Sequence, residues 1–441
     1  MSEGSPPRGL ILAAPHSGSG KTIVTLGLLR ALKRRGLGVA AAKAGPDYID
    51  AAFLAAAAGS PCRTLDVWAM RRASLAAGAN AAGAEIVLCE GTMGLFDGIG
   101  AAGQGSTAEL ARITRWPVVL VVDAAGMGAS VAALVAGFAR HRWELALAGL
   151  IFNRIGSAGH RDLLAAAVMA ELPALKILGA LPRDPGLALP SRHLGLIQAE
   201  EHASLEDILD RAAALIERHL DVAAVLALAQ PTILAPAPAT PLLAPLGQRI
   251  AVARDPAFAF AYESVLAGWR AAGAELCLFS PLGDEAPASD ADAVYLPGGY
   301  PELHAQRLAA NARFLGGVRA AAARGAVIYG ECGGYMVLGQ GLVDASGARH
   351  RMAALLPLEA SFAERRLHLG YRAARLVASG PLGLAGQGFR GHEFHYATIT
   401  QEGAGEALFT ASDGAGAPLG SAGRIAGKVM GSFLHLIDRT E

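Results

Sequence analysis

The sequence predicts an α/β protein of two domains, and three observations support this. Short apolar runs alternate with helical patterns, and the runs lack the polar alternation of half-exposed strands. A chain of 441 residues with 53% hydrophobic and 17% charged residues has ample core. The stretch QPTILAPAPATPLLAPLGQ interrupts the rhythm, because its prolines sustain neither a helix nor a central strand. We therefore expect domains at 1–229 and 248–441, joined by an extended linker at 230–247.

In the first half, apolar runs predict the strands of a mostly parallel sheet with crossover helices. A helix is expected from Gly20 to Arg35, where Gly36 ends it. The expected strands are LILAA, GVAAAKAG, EIVLCE, PVVLVVD and LAGLIFN. Runs of this kind suit strands that are covered on both faces.

After the linker the same rhythm restarts, which predicts a second α/β domain. Helices are expected near 260–272 and 302–323. The expected strands are RIAVARD, AELCLFS, DAVYLPGG and AVIYG, the last leading into Cys332. Cys277, within AELCLFS, is expected in the core.

Composition and charge exclude several classes of function. Thirty-eight basic and 38 acidic residues balance, so no electrostatic footprint for nucleic acid or an anionic membrane is visible. The four cysteines form no CxxC pair, which argues against a disulfide framework or a structural zinc site and favours a reducing compartment. No export signal or membrane span is evident, so a cytoplasmic location is expected.

The segment APHSGSGKT, between an expected strand and an expected helix, predicts a phosphate-binding loop. Its glycines let backbone N–H groups wrap a phosphate, its lysine reaches the β and γ oxygens, and its threonine can ligate Mg²⁺. Pro15 stands where the usual spacing has glycine, so the loop is irregular. The residues expected to bind ATP are Ser17, Gly18, Ser19, Gly20, Lys21 and Thr22.

Polar side chains follow the expected strands at the edge where open α/β sheets bind ligands. Bound Mg²⁺ needs oxygen ligands beyond the threonine hydroxyl. The acidic residues at this edge are Asp47, Asp50, Glu90, Asp97 and Asp123. Asp50 and Asp123 are equally well explained as helix caps or solvated loop acids, whereas Asp47 and Glu90 together favour a metal site. Asn153 offers a paired donor and acceptor that can read an adenine edge.

The stretch GAVIYGECGGYMVLG, residues 325 to 339, predicts a strand, a glycine-flanked turn and a helix around Cys332. This geometry holds a nucleophile above the sheet, and a helix N-terminus favours a thiolate. The sequence therefore pairs an ATP site with an activated thiol.

Six motifs occur in an order that resembles the cobyrinic acid and hydrogenobyrinic acid a,c-diamide synthases, glutamine-dependent enzymes of corrinoid biosynthesis. The motifs are KAGPDYID, EGTMGLFDG, PSRHLGL, LPGGYPELH, GECGGYMVLG and GHEFHY. The resemblance spans nearly the whole chain. It implies a dethiobiotin-synthetase-like P-loop domain that activates carboxylates with Mg-ATP, and a class I glutamine amidotransferase domain with a flavodoxin-like fold.

The resemblance also implies roles for residues of the first half and of GHEFHY. Thr22, Asp47 and Glu90 would hold Mg²⁺, and Asn153 and PSRHLGL would lie near the nucleotide. Tyr48 and Asp97 are implied in substrate binding. For His392 and His395, substrate contact or domain coupling is favoured over catalysis of glutaminolysis. A metal site in GHEFHY is disfavoured, because H-x-x-H lacks further obvious ligands.

In the second half the resemblance implies a Cys332 nucleophile activated by His435. The implied oxyanion donors are backbone N–H groups around Gly298 and Gly299, and that of Gly333. Many class I enzymes follow the histidine with Pro-Glu, but Leu436 and Ile437 occupy those places here. The sequence leaves open what orients His435, with Glu393 and Asp438 as candidates.

The implied reaction converts a carboxylate, L-glutamine and ATP to an amide, glutamate, ADP and phosphate, twice per corrinoid. Hydrogenobyrinic acid is favoured over cobyrinic acid as the substrate, and a homodimer is possible. Nearby alternatives are cobyric acid synthase and the nickel-sirohydrochlorin a,c-diamide synthase; dethiobiotin synthetase would not need residues 248–441. Two further alternatives are a partitioning-type P-loop switch ATPase, disfavoured by His16 and by the thiol elbow, and a stand-alone cysteine hydrolase.

Overall fold

The computed structural model describes residues 6–81, 83–142, 144–188, 191–192, 195–196, 198–202, 204–237 and 240–441. The chain forms two compact units, Met1–Trp68 with Arg72–Pro238, and Ala69–Arg71 with Ala239–Glu441. We call them the N-terminal and the C-terminal unit. No helix in the described part of the chain is both long and apolar enough to span a membrane.

The N-terminal unit is an α/β fold. Its strands are β1 (Arg8–Ala13), β2 (Val39–Ala44), β3 (Arg63–Leu65), β4 (Ile86–Glu90), β5 (Val118–Asp123), β6 (Leu147–Ile155), β7 (Lys176–Pro182), β8 (Ser191–Arg192), β9 (Gly195–Leu196) and β10 (Gln230–Pro231). Its helices are α1 (Lys21–Arg34), α2 (Ile49–Ala58), α3 (Arg72–Ala79), α4 (Thr107–Thr114), α5 (Val131–His141), α6 (Ala158–Glu171), α7 (Leu205–His219) and α8 (Val222–Leu228).

Seven strands of this unit pair in parallel in the order β3-β2-β4-β1-β5-β6-β7, which confirms the predicted parallel sheet. The strands are buried apolar runs, as parallel sheets with two covered faces require. Their carboxyl ends carry the predicted loop after β1, Glu90 at the end of β4 and Asp123 at the end of β5. The first residues of the proline-rich segment form β10, which pairs antiparallel with the start of β1.

Helix α1 positions the phosphate-binding loop. It begins directly after the loop and ends before Gly36, whose φ of 74° suits a residue without a side chain. At Gly27 the helix faces α7, where an added Cβ would lie 2.6 Å from Cγ1 of Ile216 and 2.7 Å from the carbonyl oxygen of Ala212. The close approach of the two helices therefore depends on this glycine.

The C-terminal unit combines parallel and antiparallel strands. Its strands are β11 (Arg249–Ala253), β12 (Glu275–Phe279), β13 (Ala293–Leu296), β14 (Val327–Glu331), β15 (Gly341–Val343), β16 (Arg349–Arg351), β17 (Leu358–Ser361), β18 (His368–Leu376), β19 (Gly388–His395), β20 (Thr398–Glu402), β21 (Glu406–Asp413), β22 (Pro418–Ala426), β23 (Val429–Ser432) and β24 (Leu434–Arg439). Its helices are α9 (Glu263–Ala271), α10 (Ala305–Ala310), α11 (Ala312–Ala323) and α12 (Gly333–Leu338).

Ten of these strands form one sheet in the order β12-β11-β13-β14-β23-β22-β21-β18-β19-β24. The pairs from β12 to β23 are parallel, as the flavodoxin-like prediction requires, and the remaining pairs are antiparallel. A second sheet has the order β16-β15-β17-β20. The antiparallel strands were not predicted from the sequence.

Two local predictions for this unit were wrong. The single helix expected near 302–323 is a 3₁₀ turn at Pro301–His304 followed by α10 and α11, which are separated at Asn311. The Asn311 side chain donates to the carbonyl of Pro281 at 2.7 Å, so this residue serves a loop contact rather than a continuous helix. Cys277 is only half-buried, because β12 is an edge strand.

Candidate active sites

The phosphate-binding loop of the N-terminal unit has the backbone that its glycines predict. Gly18 and Gly20 have φ values of 81° and 87°, in the left-handed region that favours glycine. The Asn153 side chain donates to the carbonyl of Ser19 at 2.9 Å. An added Cβ at Gly20 would lie 2.2 Å from Nδ2 of Asn153. Asn153 thus supports the loop backbone, and its contact with an adenine edge stays a prediction.

Two residues at the start of α1 connect the loop to β4 and the segment after it. Nζ of Lys21, a residue that is 6% exposed, donates to the carbonyl of Met93 at 2.7 Å. Burial lowers the pKa of Lys21. The hydroxyl of Thr22 donates to Oε1 of Glu90 at 2.8 Å. The predicted Mg²⁺ ligands Thr22 and Glu90 are therefore brought together.

Lys43 lies among three carboxylates and was missed by the sequence analysis. Its Nζ atom is 2.8 Å from Asp50, 3.2 Å from Glu90 and 3.8 Å from Asp47. Burial lowers the pKa of this lysine, but the negative charges of Asp50 and Glu90 outweigh burial and raise it well above its ordinary value. The available signal was a lysine inside the apolar strand VAAAKA, which must find charged partners.

The carboxylates of this cluster have oxygen atoms that could ligate a metal ion. Oε2 of Glu90, a residue that is 1% exposed, has no hydrogen-bond partner within the described residues. Burial and the nearby Asp50 charge raise the pKa of Asp47 to about 7. Asp47 also accepts from the N–H groups of Ile49 and Asp50, both at 2.9 Å, so Asp47 rather than Asp50 stabilises the start of α2. The site offers hard oxygen ligands, which Mg²⁺ prefers.

The other predicted residues of this unit have separate partners. Asp97 accepts from the N–H of Gly94 at 2.8 Å and stabilises the turn after β4. Asp123 is paired with Arg154. Tyr48 is buried at the start of α2. Substrate contacts of Tyr48 and Asp97 stay predictions. In PSRHLGL, Pro190, His193 and Leu194 lie outside the described residues, and β8 and β9 describe only the backbone of the rest.

The C-terminal unit contains the predicted nucleophile elbow. Cys332 lies between β14 and α12 with φ of 48° and ψ of −106°, a strained conformation for a residue with a side chain. An added Cβ at Gly334 would lie 1.9 Å from the carbonyl oxygen of Leu296. The N–H of Cys332 donates to the carbonyl of Ser432 at 2.8 Å, which ties the elbow to β23.

His435, on β24, lies beside the elbow. Both His435 and Cys332 border Gly298, where an added Cβ would lie 3.1 Å from Nε2 of His435 and 3.3 Å from Cβ of Cys332. The expected oxyanion donors are also close, because an added Cβ at Gly333 would lie 3.1 Å from the N atom of Gly299. The structure thus brings together the five residues that the resemblance implied for glutaminolysis, and their roles stay predictions.

Burial opposes charge on both members of this pair. It raises the pKa of the Cys332 thiol, and the negative charge of Glu302 adds to the effect. Burial also lowers the pKa of His435 to about 3, as do the charges of His392 and His395. Burial therefore disfavours the thiolate and the imidazolium alike, whereas the helix N-terminus favours the thiolate, whose formation stays a prediction.

Neither candidate for orienting His435 contacts it through the described hydrogen bonds. Asp438 accepts from the backbone N–H of Arg71 at 2.9 Å and from its Nε at 3.0 Å. Glu393 accepts from Nε of Arg372 at 2.6 Å and lies 2.9 Å from Nε2 of His395. A hydrogen bond from the imidazole to the backbone of Phe260 raises the pKa of His435, so the orienting contact is to the main chain.

The histidines of GHEFHY have different surroundings. His392 pairs with His435 across β19 and β24, and burial lowers its pKa to about 4. The His395 ring stacks on Phe433, with 3.9 Å between centroids. Ligand atoms of His368, Glu393 and His395 lie within 4.8 Å of one another, so these residues could hold a metal ion. The sequence analysis missed His368 because it comes from the neighbouring strand.

Two family models match the two units. Residues 10–197 match the model described as CobQ/CobB/MinD/ParA nucleotide binding domain, and residues 249–440 match the CobB/CobQ-like glutamine amidotransferase domain. Fold and sites together define a glutamine amidotransferase joined to a P-loop nucleotide-binding domain.

Similar proteins identify a particular family within this class. Proteins named hydrogenobyrinate a,c-diamide synthase from Brucella anthropi, Rhizobium meliloti and Rhodobacter capsulatus are 53%, 54% and 53% identical to this chain. The matches cover 98%, 98% and 99% of this chain, and 98%, 100% and 100% of the relatives. The chain belongs to the family of hydrogenobyrinate a,c-diamide synthases, which confirms the resemblance inferred from the six motifs.

Proposed function

We propose that the chain is an ATP- and glutamine-dependent ligase that converts the a and c acetate side chains of hydrogenobyrinic acid into amides. The observation that carries this proposal is 53% identity over 98% of the chain to a protein named hydrogenobyrinate a,c-diamide synthase. The phosphate-binding loop with its acidic cluster, and the cysteine elbow with its histidine, support the two half-reactions.

The N-terminal unit activates the carboxylate. An oxygen of the substrate carboxylate attacks the γ-phosphorus of ATP, the bond to the β–γ bridging oxygen breaks, and ADP leaves with the electron pair. The loop N–H groups and Lys21 bind the transferring phosphoryl group and stabilise its charge. The product is an acyl phosphate, whose leaving group is far better than oxide.

Mg²⁺ fits the acidic cluster of this unit. Thr22, Asp47 and Glu90 would hold the ion, since they offer only oxygen ligands and Oε2 of Glu90 is buried without a hydrogen-bond partner among the described residues. The ion supplies positive charge that neutralises the phosphate oxygens. Nζ of Lys43 lies 3.2 Å from Glu90 and 3.8 Å from Asp47, so its charge also compensates these carboxylates.

The C-terminal unit releases ammonia from glutamine. Because burial opposes both charges, we infer that the thiol proton moves to His435 only as Sγ of Cys332 attacks the amide carbon. The N–H groups of Gly299 and Gly333 stabilise the resulting oxyanion. His435 then gives the proton to the departing nitrogen, the C–N bond breaks, and NH₃ leaves a glutamyl thioester, which water hydrolyses to glutamate.

Ammonia released in this way completes the reaction at the acyl phosphate. Its lone pair attacks the acyl carbon, phosphate leaves with the electrons of the C–O bond, and the amide loses a proton. In bulk water near neutral pH the same nitrogen would be mostly ammonium, which has no lone pair. Release from glutamine therefore supplies the reactive form.

Incubation of the purified chain with hydrogenobyrinic acid, ATP, Mg²⁺ and glutamine tests this function. We expect mass spectrometry to detect the mono-amide and then the diamide, with one glutamate and one ADP formed per amide. A parallel incubation with cobyrinic acid should be slower. Equal turnover of the two corrinoids would contradict the cobalt-free preference, and no amidation of either would contradict the function.

The proposal also includes a cellular location and an oligomeric state. We propose a cytoplasmic location, which the four free thiols support. We also propose a homodimer, which light scattering on the purified chain can test against a monomer.

A further inference from the structure

A buried carboxylate directly precedes the nucleophile. Glu331 ends β14, is 2% exposed, and is not used in the reaction described above. Its Oε2 atom accepts from the hydroxyl of Tyr295 at 2.7 Å. Its Oε1 atom accepts from the hydroxyl of Tyr329 at 2.8 Å and from the N–H of Leu436 at 3.1 Å. The side chain therefore has three donors, and one of them belongs to the residue that follows His435.

Burial of a carboxylate is unfavourable unless hydrogen bonds compensate it. Burial raises the pKa of Glu331 to about 7, although the bonds from Tyr295, Leu436 and Tyr329 lower it. The tyrosine rings stack with 5.8 Å between centroids, so the two hydroxyls are held at fixed positions. An apolar residue at 331 would fill the space without this cost, but it could not bind the Leu436 N–H.

The bond to Leu436 joins the two catalytic strands. Glu331 and Cys332 are consecutive at the end of β14, and His435 and Leu436 are consecutive in β24. On the other side, an added Cβ at Gly391 would lie 2.3 Å from the carbonyl oxygen of His435, so β19 packs tightly there. The main chain of His435 is thus held between the Glu331 carboxylate and β19.

We propose that Glu331 is the positioning residue of the cysteine–histidine pair: by binding the Leu436 N–H it fixes His435 relative to Cys332. In this family member no Pro-Glu follows the histidine. The described hydrogen bonds of Asp438 go to Arg71 and Arg439, and those of Glu393 go to Arg372 and His395. Glu331 adds support through the backbone of the base, whose ring contacts the backbone of Phe260. This inference rests on the proposed glutaminase role of Cys332.

Two substitutions separate positioning from charge. Glu331→Gln removes the negative charge but keeps an oxygen that can accept from the Leu436 N–H, whereas Glu331→Leu removes both. We expect Glu331→Leu to lower glutamine-dependent kcat at least a hundredfold and Glu331→Gln less than tenfold. The ammonia-dependent rate should stay within twofold of the parent chain in both.

A matched control and a milder pair of variants accompany this comparison. Asp292 also accepts from two backbone N–H groups, those of Gln248 at 2.9 Å and Arg249 at 3.0 Å, before the first residue of β13. Asp292→Leu should change the rates with the two nitrogen sources equally. Tyr295→Phe and Tyr329→Phe remove one donor each and should lower only the glutamine-dependent rate, by about three- to tenfold, which keeps the test valid if Glu331→Leu fails to fold.

Alkylation of Cys332 by iodoacetamide gives a readout that needs neither ATP nor corrinoid. In Glu331→Leu the pH at which the alkylation rate is half-maximal should rise by at least one unit, because the displaced His435 no longer accepts the thiol proton. Glu331→Gln should follow the parent profile. If the parent chain amidates no corrinoid, the proposed function fails, but this profile still tests the role of Glu331.

Several results would overturn the inference. One is an equal loss of glutamine-dependent kcat in Glu331→Gln and Glu331→Leu, and another is a glutamine-dependent rate in Glu331→Leu within threefold of the parent chain. The others are an unchanged alkylation profile in Glu331→Leu and an equal loss of rate with both nitrogen sources in the tyrosine variants. A selective loss of glutamine use in Asp292→Leu would also overturn it.

Discussion

At the scale of single residues, the N-terminal site is organised by one cation among acids. Nζ of Lys43 lies within 4 Å of Asp47, Asp50 and Glu90, and the carboxylate of Glu90 also accepts from Thr22. Removal of one carboxylate from such a cluster leaves the remaining charges unbalanced. Glu90 connects the lysine, the threonine and the proposed ion.

Glu90→Gln should therefore impair the ATP half-reaction selectively. We expect amidation to fall at least tenfold with glutamine and with ammonia alike, which corresponds to a barrier increase of about 1.4 kcal/mol. The Mg²⁺ concentration that gives half the maximal rate should rise. Cys332 should still react with iodoacetamide at the parent rate, which serves as the control for folding of the C-terminal unit. An unchanged rate together with unchanged Mg²⁺ dependence would exclude Glu90 as a ligand.

The sequence predicted part of each site and missed residues even inside the quoted motifs, since Lys43 begins KAGPDYID and Glu331 lies in GECGGYMVLG. Cys332 follows from a glycine-flanked turn, and the family resemblance implied Gly298, Gly299, Gly333 and His435. The structure brings these residues together. The partners of Lys43 and Glu331 are 2 to 105 positions away in the chain, and the most distant ones lie on other strands, so the sequence did not reveal these contacts. Phe260 contributes through its backbone, for which no side-chain pattern exists.

At the scale of elements, the packing of α1 on α7 holds the helix that begins at the phosphate-binding loop. Gly27 has no room for a side chain, because the nearest atoms include the backbone carbonyl of Ala212. Backbone atoms yield less readily than side-chain termini. The two helices are therefore sensitive to a single methyl group.

Gly27→Ala should destabilise the N-terminal unit, by about 1–3 kcal/mol from overpacking. The matched control is Gly137→Ala within α5, where an added Cβ meets nothing within 4 Å. That control should stabilise by roughly 0.5–1 kcal/mol, since alanine is the better helix former. Urea denaturation followed by circular dichroism measures both effects. A Gly27→Ala midpoint at or above that of Gly137→Ala would contradict the close packing.

The sequence predicted correctly the strands whose residue pattern is determined by burial alone. Buried parallel strands appear as continuous apolar runs, and β2, β4, β5 and β14 follow this rule. The antiparallel strands β18, β19 and β22 mix glycine with charged and partly exposed residues, so their pairing depends on distant partners. The break at Asn311 likewise depends on a contact with Pro281 that the local sequence does not contain.

At the scale of the whole molecule, each unit supplies what the other lacks. The N-terminal unit holds the phosphate-binding loop and an oxygen-rich cluster, which suit carboxylate activation. The C-terminal unit holds a buried thiol beside an imidazole, which suits release of ammonia from glutamine. The central claim is that ammonia released with Cys332 is consumed at the acyl phosphate. Replacing the sulfur atom of Cys332 should therefore stop the glutamine half-reaction and leave the ATP half-reaction intact.

Cys332→Ser tests this claim most directly, because it replaces sulfur by oxygen and leaves the N-terminal unit unchanged. A hydroxyl is a far weaker nucleophile than the thiol. The measurement is amidated corrinoid formed per minute with glutamine, and separately with concentrated ammonium chloride at raised pH. The account predicts at least a thousandfold loss with glutamine and an ammonia-dependent rate within twofold of the parent chain. Retained synthesis with glutamine, or loss of the ammonia-dependent reaction in a folded variant, would contradict it.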